Sequence, residues 1–528
     1  MQIVHIADGS TERHSAETIG AKAANLARMA AAGLPVPPAF VLPIRLCKAI
    51  VDGDRHAQQK LVEGLTEGIA FLESSTGRSF GSRRQPLLVS VRSGAARSMP
   101  GMLDTVLDVG CTLAAVHGLV RMTGHPRFAW DCRRRFLESY GSVVLGIDRT
   151  KFTHRLAELV AAEGVASEQE LDVEAVERLT KSYQQMIEDE DFVLPDEPME
   201  QIEAAARAVY RSWTSDRART YRQLAHLESL HGTAVTVQAM VFGNRGLDSG
   251  AGVAFSRDPS TGAARPVIDV LFDSQGEDVV SGSRTPETEQ AIDRSAPAIS
   301  AQLRQTLARL EHEFGDVQDV EFTIESGKLW MLQTRDAKRT PRAALRFAID
   351  FVNEGLLTPR QALVRLNDLD FSKLTRKRLA ESYEPVARGT GASAGIAVGR
   401  ACFDSESAER IAAGGDPVML VRPDTSTADV AGFAIAAGIV TAIGGRTAHA
   451  ALVARQMGKP CVVGCTALAV DVAGHRAGIS GADLKEGDWL TIDGEAGTIY
   501  LGQCKVSIEQ PDAELAEIER WRSEVPAN

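Results

Sequence analysis

Small and apolar residues recur at three- and four-residue spacing through AKAANLARMAAAG, which predicts a helix from residue 21 closed by Gly33. In LLVSVRS the alternation sends Leu87, Val89 and Val91 to one face of a strand, and Leu88, Ser90 and Arg92 to the other. A helical middle follows from about 115 to 225, and then the strands VTVQAMVF and GAGVAFS. The segment 318–335 reads as a hairpin. In its first strand Asp319, Glu321, Thr323 and Glu325 share one face, while Val320, Phe322 and Ile324 share the other. From 337 to 385 the chain is helical, charged and punctuated by proline, which suits a connector. Residues 386–505 are rich in Gly, Ala and Val, with short strands such as VMLVR, IVTAI and CVVG. The stretch VAGFAIAAGIVTAIGG reads as a helix, a stop at Gly438 and a buried strand. Its 16 residues fall short of the ~20 that span a bilayer. A short amphipathic helix, DAELAEIERWRSE, is expected near the end. The pattern predicts a multidomain α/β (α+β) protein divided at 1–336, 337–385, 386–505 and 506–528.

Composition narrows the function. A length of 528 residues calls for two to four domains of ~100 to 250 residues each. The formal charge of −12 argues against a nucleic-acid partner or an anionic membrane surface, since both are bound through positive patches. A phosphorylated ligand would therefore rest on local basic residues or a metal. Seven cysteines, Cys47, Cys111, Cys132, Cys402, Cys461, Cys465 and Cys504, are too few and too scattered for a disulfide framework. A reducing cytoplasm is expected. The start MQIVHIADGS lacks a basic segment followed by an apolar one, so no signal peptide is expected.

The chemistry-bearing residues lie at element ends. In GGRTAHAALVARQMGKP a lone imidazole, His449, precedes an apolar helical run, with Thr447 as the expected N-cap. The positive end of a helix dipole disfavours imidazolium, and a neutral imidazole is a nucleophile whose phosphorylated product would sit at an anion site. Spacing alone also fits a capping or surface histidine. Lys22 opens a helix after Gly20, where it would either hold a phosphate or face solvent. Arg92 ends an apolar strand ahead of the loop GAARSMPGM, whose glycines with Arg97 and Ser98 suit covering a phosphate chain or an ordinary turn. Asp319 and Glu321 are suitable oxygen ligands for Mg2+, although a solvated edge face fits them as well. A three-residue loop, Glu325-Ser326-Gly327, is expected because it sets Asp319 across from Gln333, whereas a two-residue turn puts Gln333 on the opposite face. CVVGC has no CxxC or HxxxH context and reads as structural.

Taken together, AKAANLARMAAAGLPVPPAF, SVRSGAARSMPGMLDTVLDVG, AWDCRRRFLESYG, TVQAMVFGNRGLDSGAGVAFSRDPSTG, QGEDVVSGSRTP, QDVEFTIESGKLWMLQTRDAKRT, VRPDTSTADVAGF and GGRTAHAALVARQMGKPCVVG resemble the pyruvate, phosphate dikinase family, in the family's order, as far as about residue 505. The resemblance implies an ATP-grasp nucleotide-binding domain, a linker and a swivelling β/β/α phosphohistidine domain. It implies that His449 attacks the β-phosphorus of Mg-ATP, that AMP leaves, and that inorganic phosphate removes the outer phosphoryl as pyrophosphate. By the same resemblance Lys22 and Arg92 hold the triphosphate, Gln238 through Val241, with Met240, line the adenine pocket, and Glu277 lies at the ribose. Asp319, Glu321 and Gln333 position Mg2+ and nucleotide, Arg335 and Arg135 hold the inorganic phosphate, and Thr447 hydrogen-bonds the phosphoryl group beside His449. A homodimer is among the assemblies it suggests. Three departures stand out: alanines at 21 and 23 where the family has glycine, Arg446 where it often has Met, and Ala448 where it has Ser. Arg446 is a candidate to help hold a phosphoryl group. Only 23 residues follow residue 505, against the ~250 or more of the family's acceptor barrel. The expectation is a donor that serves a separate barrel protein or another small-molecule acceptor, the alternative being a non-catalytic ATP-binding sensor or partner-binding protein that has lost its acceptor domain.

Overall fold

The computed structural model describes every residue except 1–2, 8, 10–11, 13, 98, 100–101, 225, 281–283, 372–373, 425–428, 447 and 525–528, and describes backbone alone at 224, 280, 376, 430–431 and 449. Helix and sheet are mixed throughout. The chain forms two compact units, one of residues 1–247 with 324–326 and 330–334, the other of residues 248–323, 327–329 and 335–528.

In the first unit a five-stranded sheet runs in the order Val4–Ile6, Ala39–Leu42, Thr233–Ala239, Val89–Ala95, Thr105–Val109, antiparallel at every pairing. The expected strand at 87–93 begins instead at Val89, after a short piece, Pro86–Leu87, that pairs elsewhere. Apart from half-buried Arg92 the strand is buried on both faces. The helical middle forms as expected, from Leu113 to Leu224. Its aromatic residues Phe136, Tyr140, Tyr183 and Tyr210 join the sheet's Val89, Val91 and Val237 in one core. Helix Arg55–Thr76 lies on strand Ala39–Leu42 closely enough that a Cβ at Gly68 would sit 2.4 Å from the Phe40 ring.

The second unit holds two larger sheets. Strands Val267–Phe272 and Gly250–Phe255 pair antiparallel, with residues 318–323 of strand Gln318–Glu325 next in order. An eight-stranded sheet is built entirely from residues 387–501, its centre made of the parallel strands Ile396–Cys402, Val418–Arg422, Gly438–Thr441 and Cys461–Val463. Helices Ser405–Ala413, Val430–Ile435 and His449–Gln456 make the crossovers that parallel strands require. Among the described residues of the connector, the α-helices are Pro341–Asn353 and Pro359–Arg365. Beyond these, Arg376–Leu379 is a strand paired with Val506–Glu509. The helix expected near the end forms over Asp512–Glu524, and buries Ile518 and Trp521 among Phe347, Phe351 and Ala362 of the connector helices.

Candidate nucleotide and phosphoryl-transfer site

Gly20 begins the arrangement around Lys22. It caps helix Ala21–Ala31 at φ +82° and ψ 152°, and a Cβ there would lie 2.1 Å from the carbonyl oxygen of Gly94. Only glycine tolerates both conditions. The close approach sets the start of the helix, with Lys22 half-buried in its first turn, against the strand that carries Arg92. Ala21 and Ala23, the departures from the family's glycines, lie inside the helix, where alanine favours the fold. Arg92 Nη2 donates to Gln333 Oε1 at 3.3 Å, which brings two of the expected site residues into contact. Gln238 is buried in its strand and gives Nε2 to the Pro37 carbonyl at 3.2 Å, while half-buried Met240 and buried Val241 follow the strand's end. Arg135 is buried on helix Pro126–Val143, where its Nε donates to Asp131 Oδ2 at 2.9 Å and Glu168 lies 3.7 Å away. Asn244 also donates to Asp131, at 2.8 Å. Burial raises the Asp131 carboxyl, but Arg134 and Arg135 outweigh it and hold the group well below the usual carboxylate range. The i, i+3 and i, i+4 spacing in AWDCRRR carries that pairing in the sequence.

The hairpin differs from expectation. Its turn has two residues, Ser326 at φ +48° and Gly327 at φ +72°, between strands ending at Glu325 and starting at Lys328. Positive φ at both central positions is the turn that matches strand twist. The residue that meets Asp319 is Arg335 and not Gln333: Arg335 Nε donates to Asp319 Oδ2 at 2.8 Å. Asp319 is 2% exposed, and its Oδ1 has no hydrogen-bond partner among the described residues. Burial pushes this carboxyl above its ordinary range, Arg335 pulls it back, and Glu321 adds to the rise. A buried, unpartnered carboxylate oxygen, with half-buried Glu321 two residues along the strand, fits a Mg2+ that completes its shell with phosphate and water. No group of three or more His, Cys, Asp or Glu side chains placed to hold a metal occurs among the described residues. Glu277 lies half-buried on the short helix Gly276–Val280, after strand Val267–Phe272.

Helix His449–Gln456 starts at the expected histidine, but its N-cap is Ala448, at φ −61° and ψ 158°, with no side-chain cap. This corrects Thr447 as N-cap. Thr447 itself lies outside the described residues, as does the His449 side chain. An alanine N-cap brings no side-chain acceptor of its own to the first-turn N–H groups, which lie at the positive end of the helix dipole. Of the two preceding glycines, Gly445 answers to the approach of another segment. Gly444 has φ +111°, and a Cβ at Gly445 would lie 2.7 Å from Pro286 Cδ and 2.9 Å from Asp269 Oδ2. Arg446 N–H donates to Asp269 Oδ2 at 2.7 Å, and its Nη1 lies 3.8 Å from Asp269 Oδ1 and 3.6 Å from Glu289 Oε2. The guanidinium expected to favour a phosphoryl group thus faces two carboxylates. Asp269, Glu289 and Arg455 were not singled out by the sequence reading. The available signal was an acid inside the apolar strand VIDVLF and a cation inside the helical run HAALVARQ. All seven cysteines are free and buried, in keeping with the structural reading of Cys461 and Cys465.

Asp269 makes a pH prediction. Burial raises its carboxyl from 3.8 to about 6 against the pull of Arg446 and Arg455, with Glu289 adding to the rise. Because the folded-state value exceeds the unfolded one, the group's contribution to stability is full below about pH 4 and is lost as pH rises through 6. The difference is on the order of 3 kcal/mol. Asp269→Asn should flatten the melting-temperature profile between pH 4 and 7 and be no less stable than wild type at pH 7.5. A profile that overlays the wild type would refute the assignment.

Comparison with known proteins defines first a class: a nucleotide-binding region followed by a mobile domain. Residues 54–301 and 288–354 match the family described as pyruvate phosphate dikinase, AMP/ATP-binding domain, and 414–497 match the PEP-utilising enzyme, mobile domain. The chain belongs to the pyruvate, phosphate dikinase family. It is 40% identical to pyruvate, phosphate dikinase of Rhizobium meliloti over 534 residues, covering 98% of this chain and 59% of that one. Its identity to pyruvate, phosphate dikinase 2 of Zea mays is 39%, over 99% of this chain and 60% of the relative. With the Clostridium symbiosum pyruvate, phosphate dikinase it is 38%, over 95% and 58%. The chain therefore spans about three fifths of the length of these relatives. Among the described residues no helix is long and apolar enough to cross a membrane.

Proposed function

We propose that the protein carries out the nucleotide-dependent half of dikinase chemistry. The neutral ring nitrogen of His449 attacks the β-phosphorus of ATP, the bond to the α-phosphate oxygen breaks, and AMP leaves. Inorganic phosphate then takes the outer phosphoryl group as pyrophosphate, so that the β-phosphoryl stays on the histidine. It passes from there to an acceptor: pyruvate, through a barrel protein, or another small molecule. Lys22 and Arg92 neutralise phosphate oxygens, Gln333 orients Arg92, and the adenine rests against Gln238 to Val241. Glu277 takes the ribose, and Arg335 and Arg135 take the inorganic phosphate. Thr447 steadies the phosphoryl group. Mg2+, held by Asp319 and Glu321, would offset charge on the β- and γ-phosphates. Such a transfer needs positioning and charge neutralisation more than covalent help.

The observation that carries this reading is the helix start at His449, with alanine as its N-cap and its preceding loop held through Arg446 N–H on Asp269, in the same compact unit as the Asp319–Arg335 pair. The test is the position of the label. With Mg2+ and phosphate, ATP labelled at the β-position should mark the protein with an acid-labile adduct, while γ-label leaves in pyrophosphate and AMP appears in equal amount. Label retained only from the γ-position would exclude this chemistry. ATP binding without AMP formation would make the protein a nucleotide sensor.

A further inference from the structure

Arg455 is a charged residue in a place that packing alone would give to a hydrocarbon. It lies near the end of helix His449–Gln456, is 1% exposed, and has Ala450, Ala451 and Ala454 buried on the same short helix. Burying a guanidinium is costly unless its donors are used. Two of them are: Nη1 donates to the Ala392 carbonyl at 3.1 Å and Nη2 to the Arg446 carbonyl at 2.6 Å. Its Nε has no hydrogen-bond partner among the described residues. The guanidinium carbon lies 5.0 Å from the centroid of the Phe255 ring, and the carboxylates of Asp319 and Asp269 supply its strongest attractive fields.

These contacts converge on one residue of the loop. Arg446 has its main-chain N–H on Asp269 and its carbonyl on Arg455, so both its backbone polar groups are fixed three residues before the helix begins at His449. A hydrocarbon side chain would fill the same volume and hold neither carbonyl. A lysine, a point donor on a flexible stem, matches the planar two-carbonyl grip only in part. We propose that Arg455 is the positioning residue of the phosphoryl-accepting loop: it sets the direction in which the first turn of helix His449–Gln456 is presented, with its guanidinium held on the Ala392 and Arg446 carbonyls and over the Phe255 ring. The inference rests on the reading of His449 as phosphoryl acceptor and adds to it the residue that aims that acceptor.

The test uses the full chain with Arg455→Met and Arg455→Lys. Three measurements are made: hydrogen exchange of amides 443–446, with strand Thr498–Leu501 as internal control, the single-turnover rate of labelling from β-labelled ATP, and the KM for ATP. In Arg455→Met, exchange at 443–446 should rise about 10-fold or more with the control strand unchanged. Labelling should slow by about 10- to 100-fold while the KM stays within about two-fold, as misaiming a reacting group without loss of binding requires. Arg455→Lys should recover part of both effects. Unchanged exchange at 443–446 in either folded variant overturns the proposal, as does a lysine variant no better than methionine, or a KM that rises in step with the rate loss. If Arg455→Met does not fold, Arg455→Lys decides alone: intermediate exchange and rate support the proposal, and wild-type values of both overturn it. A wild-type protein that takes no label refutes the phosphoryl-acceptor reading, and the exchange measurement then still decides whether Arg455 orders the loop.

Discussion

His449→Ala and Asp319→Ala should both remain unlabelled by β-labelled ATP, with losses of at least about 10^3-fold, and only the second should melt earlier than wild type. The first removes the proposed nucleophile at the opening position of a helix, where alanine carries no helix-propensity cost. The second acts through charge. Asp319 is buried and Arg335 is its ion-pair partner at 2.8 Å, so alanine strands a guanidinium that is three-quarters buried. Breaking a buried pair by removing one partner costs about 3 kcal/mol. Glu321→Gln separates the two consequences, because Asp319 and Arg335 stay paired. It should keep the wild-type melting temperature and raise the Mg2+ concentration needed for half-maximal labelling. Measured together by calorimetry and labelling, the three variants distinguish loss of the proposed nucleophile, loss of the proposed metal-binding oxygens and loss of the buried pair. Wild-type labelling in Asp319→Ala would remove that residue from the nucleotide site.

What the sequence disclosed depended on how local the cause was. Helix Ala21–Ala31, the helices from Leu113 to Leu224 and strand Thr233–Ala239 were legible because periodicity is written into each segment itself. Strand Arg376–Leu379 was not, because its partner, Val506–Glu509, lies more than a hundred residues along the chain. A three-residue turn would gather the polar residues on one face, but Glu325 stays in its strand and the turn closes over Ser326 and Gly327. Arg335 reaches Asp319 across the two-residue turn, and Gln333 turns to Arg92. Thr447 carried the stronger capping propensity, yet the helix starts after Ala448, as the loop before it is gripped at Arg446 by Asp269 and Arg455. Asp269 and Arg455 stayed invisible for the same reason as the strand. In sequence each is one polar residue in an apolar run, and only long-range contacts separate such a residue from one that faces water.

Gly20→Ala should raise the KM for ATP by at least about 10-fold and destabilise the protein by about 2 to 4 kcal/mol. The backbone at Gly20, φ +82° and ψ 152°, is closed to residues with a side chain, and the added carbon would sit 2.1 Å from the Gly94 carbonyl oxygen. Both atoms in conflict are fixed to backbone, so no rotamer change relieves it, and the helix bearing Lys22 must move away from the strand bearing Arg92. Gly33 provides the control at the other end of that helix. It too has positive φ, +67°, but a Cβ there would meet nothing within 4 Å, so Gly33→Ala should cost about 1 kcal/mol and leave the KM unchanged. The pair separates backbone strain, which both substitutions introduce, from displacement of Lys22 relative to Arg92, which only the first does. Were Gly20→Ala to lose stability and keep its affinity for ATP, the triphosphate would not be held by those two cations acting together.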